Sequence, residues 1–207
     1  MRFAPEGFPF IIGAAGIAVA VLLIGSPLAA FLPLVLTLFM LYFFRDPERT
    51  VPEGRNLFIA PADGKVIVTR DVRESRYLNR DVKQVSIFMS PFDVHVNRIP
   101  CDGKVKSVQH TKGAFLAAYR DEASLRNENI EIVLETRYGD ILVRQVAGLL
   151  ARRAVCRKKE GDIVQRGERY GIIKFSSRVD IYLPKETKIM VRLDGRVRAG
   201  ETVLGEM

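Results

Sequence analysis

The stretch "GIIKFSSRVDIYLP", residues 171–184, carries strand-forming side chains at Ile172, Val179, Ile181 and Leu183. Two adjacent hydroxyls, Ser176 and Ser177, interrupt it between Phe175 and Arg178. They are either a polar turn between strands or the place where chemistry happens. Serines in β-rich domains mostly occupy turns, so the neighbouring sequence has to decide.

Strands dominate the surroundings. "KVIV" (65–68), "VSIFM" (85–89), "IEIVLE" (130–135) and "DILVRQVAG" (140–148) alternate or run apolar over strand lengths. The Ala-, Leu-, Glu- and Arg-rich stretch "GAFLAAYRDEASLR" (113–126) predicts the one helix of this region. A phrase recurs: "PADGKV" (61–66), "PCDGKV" (100–105) and "RLDGRV" (192–197) each place Asp-Gly before a basic residue and Val. Asp-Gly favours tight turns, so each phrase reads as a turn into a strand. "EGDIVQRGE" (160–168) and "RAGETVLGE" (198–206) form a second near-repeat. Repeated turns between short strands predict a mainly β sandwich or barrel with internal pseudo-symmetry.

The N-terminus is different. Residues 7–44 hold no charged side chain over 38 positions. As a helix this run would extend about 57 Å, against a hydrocarbon core of about 30 Å. Gly25, Ser26 and Pro27 divide it into two apolar segments, which predicts a two-helix transmembrane hairpin over 1–44. A secretory signal peptide would have one shorter apolar core and no second run behind it. A single span plus an interfacial helix is the other reading, to which Pro33 lends itself.

"RDPERTVPEG" (45–54) reads as a linker, leaving 55–207 as a β-rich domain. Arg2 flanks the first apolar segment, and Arg45 and Arg49 follow the second, which places both ends and the domain on the cytoplasmic side of the cell (inner) membrane. Residues 1–44 contain one Arg and one Glu, so the formal +8 of the chain belongs to residues 45–207. A tethered basic domain suits an anionic membrane surface. Nucleic acid is disfavoured, because the Lys and Arg are scattered and no nucleic-acid-binding motif accompanies them. Cys101 and Cys156 lack metal-ligand spacing, so no metal is expected, and in a cytoplasmic domain both read as reduced and structural.

Imidazole chemistry has two candidates, His95 and His110. His95 stands in "SIFMSPFDVHVNRIPCDGKV" (86–105), behind Ser90, Pro91 and Asp93, in the apolar setting that a general base near neutrality needs.

The phrases "APADGKV", "MSPFDVHVNRIPCDGKV" and "ARRAVCRKKEGDIVQRGERYGIIKFSSRVDIYLP", with the apolar N-terminal hairpin, resemble the phosphatidylserine decarboxylase family, closest to its short bacterial and archaeal form. The resemblance runs in order along nearly the whole chain. It implies a pyruvoyl enzyme of phospholipid biosynthesis, a zymogen that cuts itself and forms a Schiff base with the serine headgroup of phosphatidylserine to release phosphatidylethanolamine. Matched onto this sequence, the pyruvoyl precursor is Ser177, fixed by the "RVD" that follows, and the cut falls between Ser176 and Ser177. The products would be a β-chain of 1–176 and an α-chain of 177–207, held as a heterodimer. The family's Asp-His pair maps onto Asp63 and His95; the second His of longer members is Arg98 here. Asp63 also fits plain turn formation in Ala-Asp-Gly.

One departure stands out. The family has Gly before the cut where this chain has Ser176, and a β-carbon restricts the backbone that Gly leaves open. Ser-Ser bonds are processed in another pyruvoyl decarboxylase family, so cleavage is expected, with an uncleaved inactive form as the alternative. A non-enzymatic membrane-anchored adaptor built on a biotinyl- or lipoyl-like fold is the remaining reading. The absence of a Met-Lys-Met turn counts against it.

Overall fold

An uncharged leading run and a series of short strands punctuated by Asp-Gly set the architecture. The computed structural model describes residues 2–114, 119, 123–148, 153–174 and 177–207. It divides into two compact units, Met1–Glu48 and Arg49–Met207.

The first unit runs β1 (Arg2–Phe3), α1 (Phe8–Leu23), α2 (Pro27–Phe43) and β2 (Arg45–Asp46). Gly25 takes φ 82° between the helices, and Pro27 opens α2 where no amide donor is needed. Ala14, Ala18 and Ala30 are buried, small residues that let two helices approach closely. Pro33 is accommodated inside α2, where Thr37 donates its hydroxyl to the Pro33 carbonyl at 2.8 Å. β1 and β2 pair antiparallel, Arg2 opposite Asp46, so the chain enters and leaves this helix pair at the same end. Pro5–Leu23 is long and apolar enough to cross a membrane, whereas α2 is shorter at 17 residues.

The second unit holds fourteen strands among its described residues. They are β3 (Leu57–Ile59), β4 (Gly64–Glu74), β5 (Arg80–Met89), β6 (Val96–Arg98), β7 (Gly103–Thr111), β8 (Asn129–Thr136) and β9 (Gly139–Ala147). Then follow β10 (Ala154–Cys156), β11 (Ile163–Val164), β12 (Arg169–Ile173), β13 (Ser177–Pro184), β14 (Lys188–Ile189), β15 (Arg196–Val197) and β16 (Val203–Glu206). Eight of them form one antiparallel sheet in the order β11-β7-β8-β9-β13-β5-β4-β15. Two three-stranded sheets, β10-β12-β6 and β14-β16-β3, supply further core residues such as Phe58, Tyr170, Ile173 and Leu204, which pack with Val85, Ile132, Val143 and Ile181 of the large sheet. Of the predicted helix over 113–126, Ala123–Arg126 forms a single turn, and much of the remainder lies outside the described residues.

The repeated phrases mark a pseudo-two-fold arrangement. Reversing the large sheet maps β4 onto β7, β5 onto β8, β13 onto β9 and β15 onto β11, and the small sheets exchange likewise. Single hydrogen bonds repeat too. Val66 N–H donates to Gly195 as Val105 N–H does to Asp162, and Gly200 N–H donates to Ala60 as Gly167 N–H does to Ile99. Each Asp-Gly leads into its strand, at Gly64, Gly103 and just before Arg196.

Alternation along β13 decides which residues meet the core. Val179, Ile181 and Leu183 enter it, whereas Arg178, Asp180 and Tyr182 project from the opposite face. Those charges are buried as well. Arg178 Nε donates to Asp180 Oδ1 at 2.5 Å and its Nη2 to Ser86 Oγ at 2.9 Å. Arg144 Nε donates to Glu131 at 2.7 Å, and its Nη1 reaches the hydroxyls of Ser124 and Tyr182. Cys101 and Cys156 are both free thiols; burial pushes Cys101 up to about 12, with the Asp102 charge acting the same way.

Gly64 begins β4 at φ 148°, and a Cβ built there would stand 2.1 Å from the Phe88 carbonyl oxygen. Gly64→Ala should therefore destabilise the domain by about 2–3 kcal/mol, read as a loss of roughly 5–10 °C in thermal unfolding.

Candidate active site

Ser177 is the first residue of β13 and is fully buried. It stands in register with Met89, the last residue of β5, and with Ala147, the last of β9. Its face is the core face, by the same alternation that directs Val179 inward. Ser177 Oγ donates to Met89 Sδ at 3.4 Å, and Asn97 Nδ2 approaches the same sulfur at 3.8 Å. The Asn97 Oδ1 accepts from Gln145 Nε2 at 2.8 Å. Gln145 is fully buried, and its Oε1 has no hydrogen-bond donor among the described residues. A serine hydroxyl, a thioether and two carboxamides thus meet at one end of the sheet.

His95 is fully buried two residues before Asn97, in the segment that leads from β5 into β6. The turn before it is tightly held. Asp93 Oδ2 accepts from the Ser90 amide at 2.8 Å and the Ser90 hydroxyl at 2.7 Å, and its Oδ1 is ion-paired with Arg196. The turn aims the Asp93 carbonyl at His95 Nδ1, 3.0 Å away. A carbonyl can only accept, so in the neutral ring Nδ1 carries the proton and Nε2 keeps the basic lone pair. That is the tautomer of a general base acting through Nε2.

Asp63 has a different set of partners. Its Oδ2 accepts from Arg49 Nη2 at 2.8 Å and its Oδ1 from the Ala199 amide at 2.7 Å. Arg49 also reaches Glu201 at 3.3 Å, and its side chain is 8% exposed. Burial pushes the Asp63 carboxyl above its usual range; the Ala199 amide and the Arg49 guanidinium oppose that shift, and the Asp93 charge adds a smaller upward push. Among the described residues Asp63 makes no hydrogen bond to His95, and Ser177 makes none to either. The backbone of Asp93, rather than the side chain of Asp63, is the group seen orienting the imidazole.

Ser176 lies outside the described residues. Arg98 is buried and donates to the Gly167 carbonyl at 2.9 Å, a bond within the fold. His110 is half-exposed and pairs with Glu128 at 3.2 Å, on β7. Asn97 and Gln145 were not expected at the site from sequence. Gln145 leaves a trace there, as a polar residue inside the apolar strand "ILVRQVA".

The domain is thus mainly β and follows an apolar helical segment, with a buried serine opening a strand paired on both sides and a buried imidazole whose Nδ1 faces the Asp93 carbonyl. The description "Phosphatidylserine decarboxylase" belongs to the family model that matches residues 36–205. A phosphatidylserine decarboxylase proenzyme of Geobacter metallireducens is 49% identical, over 98% of this chain and 95% of the relative. Proteins of the same name from Syntrophus aciditrophicus and Syntrophotalea carbinolica are 48% and 49% identical, each over 98% of this chain and at least 95% of the relative. The chain belongs to the phosphatidylserine decarboxylase family.

The carboxamide pair can be tested apart from any processing, in a Ser177→Ala background. Asn97→Leu should lower stability by about 1–3 kcal/mol, because it removes the best acceptor of the buried Gln145 amide. Adding Gln145→Met should recover most of the loss. Denaturant unfolding of the single and double variants measures the difference.

Proposed function

We propose that this chain, a phosphatidylserine decarboxylase, makes its own reaction centre by converting Ser177 to a pyruvoyl group. The observation that carries the reading is the position of Ser177. It is the first residue of a strand paired on both sides, so a cut before it would leave residues 177–184 held between β5 and β9. The residues present fit the group, since Cβ of Ser177 already lies in the buried site beside Met89, Asn97 and Gln145. The ladders also support a lasting heterodimer of a β-chain, 1–176, and an α-chain, 177–207.

In processing, Ser177 Oγ adds to the carbonyl carbon of residue 176 while His95 Nε2 receives the hydroxyl proton. The C–N bond then breaks, the nitrogen takes a proton, and an ester replaces the amide. Loss of the Ser177 α-proton expels the residue-176 carboxylate and leaves dehydroalanine. Water adds, ammonia leaves, and the keto group remains. Asp93 holds His95 in the tautomer this requires. Asp63 and Arg49 fix the neighbouring turn, and Asp63 lies close enough to Asp93 for their charges to interact.

A pyruvoyl carbonyl supplies an electron sink conjugated to the amine nitrogen of the serine headgroup, the role that an external cofactor fills in other decarboxylases. The chain's own groups then orient and exclude. Gln145 Oε1 offers a buried acceptor to the headgroup ammonium, and the apolar walls around Met89 and Ala147 keep water from the reacting carbon. His95 holds the proton that the α-carbon needs once carbon dioxide has left.

We further read the two helices of the first unit as a transmembrane hairpin. Leu23 and Leu28 are 83% and 89% exposed, and Ile12, Phe31 and Leu32 are also exposed, which suits lipid contact. β1 pairing with β2 puts both hairpin ends on one side, and Arg2, Arg45 and Arg49 favour the cytoplasmic side of the inner membrane.

Intact-mass analysis should find a fragment that starts at residue 177 with a keto-bearing N-terminus. Ser177→Ala should abolish both cleavage and decarboxylation. His95→Ala should slow cleavage by about a hundred-fold or more, the loss of a general base, with Asp63→Asn milder and His110→Ala near the parent rate. A single full-length mass for the parent chain, rescued by Ser176→Gly, would show instead that Ser176 keeps the chain uncleaved. For the hairpin, a reporter fused after Met207 should be active only in the cytoplasm. Periplasmic activity would overturn the orientation.

A further inference from the structure

The end of the large sheet at which Ser177 lies also carries the turn Ser90–Asp93 and the start of β4, against which β15 pairs. The ion pair between Arg196 and Asp93 ties these segments together. Phe92, next to Asp93 in the chain, is 68% exposed, and Leu193 and Met190, in the segment before Arg196, are 53% and 56% exposed. A groove of about 450 Å³ lies along that segment, with Ile189, Met190, Val191 and Val197 as its apolar lining beside Arg192 and Arg196.

The charge of this rim is one-signed where it is unpaired. Residues 190–198 hold Arg192, Arg196 and Arg198 against Asp194 alone. Asp194 is neutralised by Lys65 at 2.7 Å, and Arg198 meets Glu201 only at 3.8 Å with its side chain 74% exposed. Arg192 has no ion-pair partner among the described residues. Exposed large apolar side chains set among arginines are the composition of a surface that enters the headgroup layer of an anionic bilayer. We infer that the rim formed by Phe92, Met190, Leu193, Arg192 and Arg196 docks the catalytic domain on the anionic lipid surface, so that a phosphatidylserine headgroup reaches Ser177 without its acyl chains leaving the membrane. This rests on the decarboxylase reading for its purpose, not for its geometry. The opposite end of the sheet makes the comparison, where Ile163 of β11 is 74% exposed beside the β8–β9 turn.

The chain has no tryptophan, so a single introduced one reports on its own surroundings. Full-length Phe92→Trp, Leu193→Trp and Ile163→Trp proteins are placed in phosphatidylglycerol-containing nanodiscs with and without acyl-chain-brominated lipid. Trp at 92 and 193 should emit to the blue and be quenched by the bromines, and Trp at 163 should do neither. Equal, water-like emission at all three positions overturns the inference. So does shielding at 92 and 193 without bromine quenching, which would mean that a second copy of the chain covers the rim. In a separate assay, Leu193→Glu should lower turnover of bilayer-embedded phosphatidylserine by about ten-fold while a soluble short-chain phosphatidylserine is turned over within about two-fold of the parent rate. An equal loss on both substrates overturns the docking role. Absence of turnover of either substrate by the parent protein would instead strike the decarboxylase reading, leaving the quenching result to stand by itself.

Discussion

The constraint on which the structure depends is the two-sided pairing of β13 from its first residue. Strand period two makes the register absolute, because a slip by one residue would carry Arg178 and Asp180 into the apolar core and expel Val179 and Ile181. The buried Arg178–Asp180 pair resists that slip from the other face, with Ser86 and Ser124 taking up their remaining bonds. The residues just after Ser177 therefore hold it in place. "RVD" acts as an anchor whose charged members point away from the face that Ser177 shares with Val179. An uncompensated buried charge is expensive, so removing one partner of this pair would harm the strand more than the pair's own net contribution suggests.

The pseudo-symmetry explains why the proposed site lies where it does. β5 and β13 correspond to β8 and β9, and in that copy the two strands are joined directly by the turn Thr136–Gly139. Tracing the registers through, Ser177 corresponds to Gly139. In the copy that holds Ser177 the chain instead leaves β5 through Ser90–Asp93 and enters β13 from the other half. Where one half of the fold closes with a hairpin, the other does not, and the segment that follows β5 there carries the Ser90–Asp93 turn, His95 and Asn97. A site at the break of an internal symmetry needs no new fold, only a different connection.

Much of this was legible in the sequence because it depends on local periodicity. The apolar strands, the Asp-Gly entries and the repeated phrases are short-range signals, and the sheet follows them closely. The proposed reactive serine is singled out for another reason: nothing local separates Ser177 from a turn serine, and only the long family phrases around it do. What stayed hidden is side-chain geometry across large sequence separations. Arg49 reading as linker, yet paired with Asp63 and Glu201, is one case. The carboxamide bond between Asn97 and Gln145 is another, since 48 residues separate them. The orientation of His95 by a backbone carbonyl could not be read either, because a carbonyl has no residue signature.

Asp63 and Asp102 allow a last comparison, since they are equivalent positions in the two halves. Each accepts the amide of the residue before a left-handed glycine, Ala199 before Gly200 and Arg166 before Gly167. The turn job is thus the same, and Asp102 does it on the surface. Asp63 does it largely buried, with a carboxyl raised by desolvation. A raised folded-state carboxyl contributes stability fully below its unfolded value, near 3.8, and that contribution is lost as the pH rises through the folded value. At neutral pH the burial of Asp63 therefore works against the fold, and the Ala199 amide and the Arg49 guanidinium are the groups that offset it. Turn formation alone does not require that arrangement, as Asp102 demonstrates. A carboxylate kept buried at a cost, within electrostatic reach of the Asp93 turn that orients His95, fits the role proposed for Asp63, since folding alone would be served by the arrangement at Asp102.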